Sequence, residues 1–171
     1  MNEFVNDKLD ETRTNLVKEI TLLSNAQFNC KPAMDVWSIA QVCHHLVLVE
    51  ESSVKAIAWG LREIDNTQKE RKNVQLILLD RTKKIKAPKI VEPDVEPFEV
   101  KQIMDLLNDS RTKLMTLLSS IEDKSILTER SVRHPALGEL PLDQWVEQIY
   151  LHEQRHTEQI QEIKLLLVAG H

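Results

Sequence analysis

The segment PLDQWVEQIYLHEQRHTEQIQEIKLLLV, residues 141–168, decides the fold class because its apolar side chains recur every three or four positions. This spacing is that of one face of an α-helix. The apolar face consists of Leu142, Trp145, Val146, Ile149, Ile160, Ile163 and Leu167. Pro141 suits the first turn of such a helix, where no backbone N–H donor is needed. The pattern predicts a final amphipathic helix that ends near Val168.

Three further segments have helical periodicity. A first helix is predicted over residues 3–24, and a third long helix over residues 99–121. Between them, Ser38 with Gln41 three residues later forms a capping box, which starts a helix that runs to about Leu61. This second helix is apolar almost all round, so we expect it to be buried. Four long helices predict an all-α protein, an antiparallel four-helix bundle.

The connections between these helices are indicated by proline and by polar residues. Residues 25–35 are predicted to form a loop, and residues 68–84, with an apolar centre at 74–79, are predicted to form another helix. Residues 85–98 contain half of the prolines, which predicts a long extended connection. Residues 122–141 are predicted to form a loop or short hairpin in which Gly138 helps the chain to turn. Because the length suits one core and no repeat is present, we expect a single domain over residues 1–171.

Composition excludes several classes of enzyme. The chain has 3 glycines among 171 residues, whereas average usage would give about a dozen. Turn-rich β folds and phosphate-binding loops both need glycine for positive φ or for close backbone approach. Gly60, Gly138 and Gly170 are too far apart to form a nucleotide-binding loop, so P-loop and Rossmann enzymes are excluded.

Charge and hydropathy limit the partners that we expect. The net charge of −5 argues against nucleic acid, and the basic block at 69–89 is followed at once by acidic residues, as is typical of a solvated surface. No apolar run approaches the length of a membrane span, and the N-terminus does not resemble a signal peptide. The two cysteines, Cys30 and Cys43, provide no disulfide framework. We therefore expect a cytoplasmic protein with no membrane or nucleic-acid partner.

Two histidines fill a gap in the apolar face of the final helix. His152 and His156 continue the helical series from Ile149 to Ile160, so both imidazoles are predicted to point into the bundle. Their i, i+4 spacing allows them to bind one metal ion. Two buried imidazoles are costly to desolvate unless both have partners. The pair therefore favours a metal site over two separate hydrogen-bonded core histidines.

The second helix supplies candidates for a third ligand in the tripeptide Cys43-His44-His45. Relative to its core direction, His45 lies on the flank and His44 lies nearly opposite, which favours His45. This preference for His45 is modest because the helix is apolar on almost every side. Periodicity alone therefore does not exclude His44 as the third ligand. Cys43 is interpreted as a small buried apolar residue. His134 and His171 are interpreted as solvated surface histidines.

The five residues from His152 to His156 also read H-E-x-x-H, the zincin signature, in which Glu153 would be the general base of a metallopeptidase. The surrounding sequence does not support that interpretation. Gln159 and Glu162 stand where a metzincin needs glycine and a third histidine. No upstream strand is predicted that could hold a peptide substrate.

Several features taken together resemble the DinB-like superfamily, which includes the YfiT-like metal-dependent bundle proteins. They are the Trp37-Ser38 helix start, His45 followed by Leu46, the loop at 134–138 and the terminal H-x-x-x-H, in this order along nearly the whole chain. The resemblance implies a bundle with up-down-down-up topology and a homodimer. It also implies one divalent ion per chain, zinc or nickel, held by His45, His152 and His156.

The resemblance extends to the surroundings of the ion. Leu48 stands where family members often have aspartate, whereas Glu50 matches a frequent acidic position. Glu50 and Glu153 are the candidates to orient a ligand histidine through a hydrogen bond. Three histidines with an open fourth position are typical of a catalytic zinc site. Metal-bound water or thiolate would then be the nucleophile.

Some members of the resembled family are S-transferases that use low-molecular-weight thiols. The resemblance therefore implies a metal-dependent enzyme that transfers a low-molecular-weight thiol to an electrophile, or a related hydrolase. The alternative is a non-catalytic, stress-related metal-binding bundle that acts as a binding module. A bundle without metal is the third hypothesis.

Overall fold

A computed structural model of the chain describes residues 3–63, 68–82 and 86–169, and four long helices dominate it. The long helices are α1 (Glu3–Ile20), α3 (Ile39–Gly60), α5 (Val100–Ser119) and α7 (Leu142–Ala169). The short helices are α2 (Asn25–Asn29), α4 (Val74–Leu79) and α6 (Ile126–Glu129), with a 3-10 turn at Lys89–Val91. Strands β1 (Ser131–His134) and β2 (Gly138–Pro141) pair antiparallel in a hairpin just before α7. The predicted four-helix bundle is confirmed.

Helices α1 and α7 run parallel. Thr12 of α1 bonds Glu153 of α7, and further along both helices Glu19 bonds Lys164. Because the second contact lies further along both helices than the first, the two helices point in the same direction. The first and last helices of the bundle therefore share one direction.

Helices α3 and α5 also run parallel to each other. The ring of His44 packs against Phe98, just before α5, and further along Glu51 pairs with Lys113. Two consecutive parallel helices require a connection that returns along the bundle, and the long segment after α3 provides it. Part of this crossover is α4, which packs on α7.

Helices α3 and α7 run antiparallel. Ser53 of α3 bonds Gln148 of α7, whereas His45, earlier in α3, lies beside His156, later in α7. Together with the two parallel pairs, this contact gives the up-down-down-up topology that the resemblance implies.

The first helix and the loop after it differ from the prediction. The helix ends at Ile20 rather than near residue 24, and the predicted loop at 25–35 contains the short helix α2. Ser24 accepts a hydrogen bond from the Gln27 backbone while the Gln27 side chain accepts one from the Ser24 backbone. This is the same capping box that starts α3 at Ser38. The signal for α2 was therefore present in the sequence and was overlooked.

Most of the remaining connections follow the prediction. The helix expected over residues 68–84, of which 83 and 84 lie outside the described residues, covers only Val74–Leu79, and Asn73 caps its first turn. The described part of the proline-rich segment, residues 86–98, contains no helix or strand besides the 3-10 turn, and residues 131–141 form the hairpin. Gly138 has a φ of 71°, a conformation that favours glycine, so its predicted part in the turn is confirmed. Pro141 ends β2, one residue before α7, instead of lying in the first helical turn.

The interior consists of two apolar clusters that divide the bundle along its length. On α1, Leu9 belongs to one cluster and Leu16 to the other. On α5, Leu114 belongs to the same cluster as Leu9, and Leu107 belongs to the same cluster as Leu16. On α7, His152 and His156 lie between Leu151 of one cluster and Ile160 of the other.

Basic side chains in the described part of the block at 69–89 contact the rest of the chain. Arg71 pairs with Asp143 at 2.5 Å, and Arg81 pairs with Glu162 at 2.5 Å. Among the helices described, none is both long enough and apolar enough to cross a membrane.

Candidate metal centre

Three histidines from two helices converge between α3 and α7. His45 comes from α3, and His152 and His156 come from successive turns of α7. One ring nitrogen of each lies within 4.8 Å of the other two. The Nε2 atoms of His152 and His156 are 3.1 Å apart. Two nitrogens bound to one tetrahedral zinc ion at about 2.0–2.1 Å would be about 3.3 Å apart. The structure thus brings together the three predicted ligands.

Two hydrogen bonds set the orientation of these rings. The Nδ1 atom of His45 lies 2.7 Å from the carbonyl oxygen of Val91, and that oxygen can only accept, so Nδ1 carries the proton. The Nδ1 atom of His156 lies 2.7 Å from Oε1 of Gln159, which likewise accepts. In both rings Nε2 is left with a free lone pair. Orientation of a metal-ligating histidine through its other nitrogen is common in metal sites.

Burial keeps the three imidazoles uncharged. It lowers the pKa of His45 and, more strongly, that of His152. It lowers the pKa of His156 to about 3, and neighbouring cationic groups reinforce this effect. A neutral imidazole has the lone pair that a metal ion requires.

The residues present fit a divalent transition-metal ion. His152 Nδ1 is buried without a hydrogen-bond partner, and its Nε2 faces the Nε2 of His156. Imidazole nitrogens are ligands that suit zinc, nickel, copper and iron ions. Within the part of the chain that the structure describes, no fourth histidine, cysteine or carboxylate joins the group. Three protein ligands are typical of catalytic rather than structural zinc sites.

The carboxylates of Glu50 and Glu153 have a different role from the predicted one. They belong to a buried cluster of four side chains, one from each long helix, which we call the charge ring (Arg13, Glu50, Arg111 and Glu153). Among the described residues, no hydrogen bond joins either carboxylate to an imidazole. The prediction that Glu50 or Glu153 orients a ligand histidine is therefore corrected, because nearby guanidinium groups take up their oxygens.

In the charge ring, each arginine bridges both glutamates. Arg13 contacts Glu153 through Nε at 2.6 Å and Glu50 through Nη2 at 2.8 Å. Arg111 contacts Glu50 through Nε at 2.6 Å and Glu153 through Nη2 at 3.1 Å. The alternating charges form a closed, electrically neutral cycle across all four long helices.

Hydroxyl groups add to the charge ring. Ser110 donates to Glu50 at 2.5 Å, and Thr12 donates to Glu153 at 2.6 Å. Burial by itself would raise the pKa of Glu50, but the two guanidinium groups and the hydrogen bonds bring it below its ordinary value. Glu50 is thus held as a carboxylate although it is 2% exposed.

The arginines of the charge ring were missed by the sequence analysis, although the sequence contains a signal for them. Arg13 lies between Leu9 and Leu16 at helical spacing, so it occupies the apolar face of α1. Arg111 lies in the same way between Leu107 and Leu114 of α5. A charged residue on a buried face requires a partner.

The charge ring also decides against the zincin interpretation. Both oxygens of Glu153 accept hydrogen bonds from the ring or from Thr12, so this carboxylate does not serve as a general base beside the histidines. Arg155, the other charge that flanks the ligands, donates to the carbonyl oxygens of Leu78 and Asp80 at 2.7 and 3.0 Å. That contact ties the end of α4 to α7.

Two of the three remaining histidines, His44 and His134, have structural contacts. His44 Nδ1 accepts a hydrogen bond from the backbone N–H of Asp94 at 3.0 Å. His134, expected to be a solvated surface histidine, is instead half-buried and packs against Trp145. Hydrogen bonds from the backbone of the hairpin turn to the ring of His134 explain the difference. Cys43 is buried as interpreted, and burial raises the pKa of its thiol. His171 lies outside the described residues.

Replacing His134 by asparagine should make stability less sensitive to acid. His134 Nδ1 accepts from the backbone N–H groups of Ala136 and Leu137, each at 3.1 Å, so only the neutral ring can fulfil this role. Burial, together with Lys72, lowers the pKa of His134 from 6.5 to about 4. The unfolded chain therefore binds the proton first, and stability falls as the pH drops from 6.5 to about 4.

Asparagine retains a side-chain acceptor for the turn and does not titrate. Urea unfolding of both proteins with a chelator present, from neutral pH to pH 4, measures the difference. The three triad histidines are present in both proteins, so their titration affects both stability profiles equally and does not change the difference between them. Equal losses of stability would contradict this role of His134.

Comparison with known proteins concerns the family and the fold of the chain. The family model of the DinB superfamily matches residues 8–160. The chain is 30% identical over 155 residues to the uncharacterized protein YuaE of Bacillus subtilis (strain 168), an alignment that covers 91% of this chain and 94% of that protein.

Two solved structures share the fold. One is that of YfiT from Bacillus subtilis, described as "a probable metal-dependent hydrolase with an unusual four-helix bundle topology", with a TM-score of 0.69 and 16% identity over 97% of this chain and 87% of that one. The other is that of TT2238, a four-helix bundle protein, with a TM-score of 0.62 and 16% identity over 94% of this chain and 98% of that one.

Proposed function

The chain belongs to the DinB superfamily, and from this premise we propose that it is a metal-dependent enzyme in which His45, His152 and His156 bind one divalent ion, zinc or nickel. The observation that carries the proposal is the convergence of exactly these three neutral imidazoles, with no fourth protein ligand among the described residues. A structural site would be closed by a fourth ligand. The triad instead leaves room in the coordination sphere for a substrate.

The reaction that we assign is the attack of a small nucleophile on an electrophile. A divalent ion held by the triad supplies Lewis acidity, which lowers the pKa of a water molecule or thiol that binds beside it. Water as the nucleophile makes the protein a hydrolase, and the description of YfiT supports this candidate. A low-molecular-weight thiol makes it an S-transferase, which the resemblance of the sequence supports.

The protein's own residues orient the site and bury most of it, although His152 is half-buried. Val91 and Gln159 fix the rings of His45 and His156 through their Nδ1 atoms. The indole of Trp37 packs against His45 with ring centroids 5.1 Å apart. His45 and His156 are 4% and 8% exposed, so little solvent competes at their free nitrogens. Excluding water strengthens electrostatic interactions inside a site.

The test uses protein purified without added metal and then loaded with zinc or nickel. In one arm, the loaded protein is incubated with monobromobimane and a panel of low-molecular-weight thiols. In the other, it is incubated with a panel of activated esters and amides. We expect a rate above the uncatalysed reaction in one arm, which falls to background after chelation and in His156→Ala.

Conjugation with a particular thiol would identify an S-transferase, and hydrolysis without thiol would identify a hydrolase. Metal-loaded protein that is inactive in both arms would overturn the enzyme proposal and favour the binding module. A homodimer, expected from the resemblance, is part of the proposal and is measured by light scattering on the same samples.

A further inference from the structure

The crossover between α3 and α5 is fastened to α3 beside the triad. Gln41 donates through Nε2 to the carbonyl oxygen of Asp94 at 3.2 Å. His44 accepts through Nδ1 from the backbone N–H of Asp94 at 3.0 Å. His45, the next residue, donates to the carbonyl oxygen of Val91 at 2.7 Å. We call Gln41, His44, Val91 and Asp94 the crossover clasp.

We propose that His44 and Gln41 are positioning residues of the metal site, because they hold the Val91 carbonyl against His45 and thereby aim the free nitrogen of His45 at His152 and His156. This inference rests on the proposed function, since it concerns the same triad. It assigns a role to His44, the histidine that periodicity placed nearly opposite the core.

The orienting contact of His45 differs from that of His156 in its origin. Gln159 lies on α7, three residues after His156, so a rigid helix fixes their separation. Val91, by contrast, is the last residue of the short 3-10 turn Lys89–Val91, which lies in the connection between α4 and α5. A carbonyl on such a segment orients a ring only if the segment itself is held in place.

The clasp holds this segment at two adjacent backbone groups. Both the N–H and the C=O of Asp94 bond to side chains of α3, in the manner of a paired strand. Asp94 itself is exposed, so these bonds are its link to the bundle on this face. Val91, three residues earlier, is 7% exposed and packs at the interior. The segment from Val91 to Asp94 is therefore attached to α3 at both ends.

The clasp should make metal binding and crossover docking interdependent. A docked crossover orients His45 and so favours the bound ion. By reciprocity of coupled equilibria, a bound ion stabilises the docked crossover by the same factor. Loss of an outer hydrogen bond of a metal ligand typically weakens metal affinity by about 10-fold to 100-fold.

Two substitutions weaken the clasp with little change in shape. His44→Phe keeps an aromatic ring against Phe98, whose centroid lies 4.7 Å from that of His44, but removes the acceptor for Asp94. Gln41→Glu keeps the side-chain oxygen that accepts from the Ser38 backbone in the capping box, but removes the donor to Asp94. Gln27→Glu is the matched control, because Gln27 holds the same capping-box position in α2.

The experiment measures zinc affinity by competition with a chromophoric chelator. It also measures hydrogen exchange at the Asp94 amide and unfolding of the metal-free proteins. We expect about a 10-fold loss of affinity in His44→Phe and in Gln41→Glu, and none in Gln27→Glu. Metal should increase the protection of the Asp94 amide in the wild-type protein, and metal-free unfolding should differ little among the proteins.

The possible failures are distinct. Wild-type affinity in both clasp variants, or no effect of metal on exchange at Asp94, would overturn the positioning role while leaving the metal site intact. A wild-type protein that binds no metal would overturn the proposed function itself. A loss of affinity that follows a matching loss of metal-free stability would show a structural role only, and would also overturn the inference.

Discussion

Replacing His45 by alanine should abolish stoichiometric metal binding. The variant retains His152 and His156, but both lie on α7, and it loses the only triad ligand from α3. Two ligands with water completing the sphere bind far more weakly than three that are already in place. Elemental analysis after gel filtration should find one ion per wild-type chain and almost none in the variant.

The same substitution should remove the stabilisation that metal provides. A ligand that binds only the folded state adds about 4 kcal/mol when its concentration is a thousand times Kd. Thermal unfolding with and without metal should therefore show a rise in Tm for the wild-type protein and none for His45→Ala. His134→Asn is the control, since this hairpin histidine lies outside the triad, and it should keep its metal. A His45→Ala protein that still binds one ion would show that the site has been misplaced.

Removing one member of the charge ring should destabilise the fold severely. In Arg111→Met, the buried Glu50 and Glu153 carboxylates lose a shared counter-ion and are left with Arg13 alone. Breaking a buried ion pair from one side typically costs about 3–5 kcal/mol, because the charge that remains is uncompensated. Urea unfolding of the metal-free protein measures this loss.

A double variant tests whether charge imbalance is the cause. Glu50→Leu with Arg111→Met leaves the neutral pair Arg13 and Glu153, so the double variant should be more stable than the sum of the two single changes predicts. Lys101→Met is the control. Its pair with Asp105 is 82% and 61% exposed, and such solvent-exposed pairs contribute little to stability. Additive losses in the double variant would mean that the ring residues act independently.

The fold class could be predicted because helices leave local signals. Periodic apolar residues marked four helices, and Ser38 with Gln41 marked the start of α3 where the structure has it. The errors concern short elements such as α2 and the length of α4. Whether such short helices form, and how long they are, depends on a few polar contacts. Apolar periodicity is a weak signal over so few residues.

The triad was also accessible from local patterns. The spacing of His152 and His156 follows from helix geometry alone. Periodicity favoured His45 over His44 as the third ligand only modestly, and the resemblance to the family decided for His45. The structure shows that both neighbours are used, His45 within the triad and His44 in the clasp.

The surroundings of the triad could not be predicted in the same way. Glu50 was expected to orient a histidine, yet its partners Arg13 and Arg111 lie 37 and 61 positions away in sequence. The residues near Glu50 in the sequence do not show whether its hydrogen-bond donor is a histidine or an arginine. A carboxylate bonds whichever donors the packed helices bring to it, and Coulomb attraction then favours a guanidinium.

The sequence by itself determined the four long helices, their buried faces and the placement of His152 and His156 on one helical face, because these depend on interactions within a few residues. Only the tertiary structure decided that Glu50 and Glu153 close a charge ring with Arg13 and Arg111. It also decided that the Val91 carbonyl orients His45. These contacts depend on the direction and register in which distant helices meet, and apolar periodicity specifies which face is buried without specifying the partner on the other side.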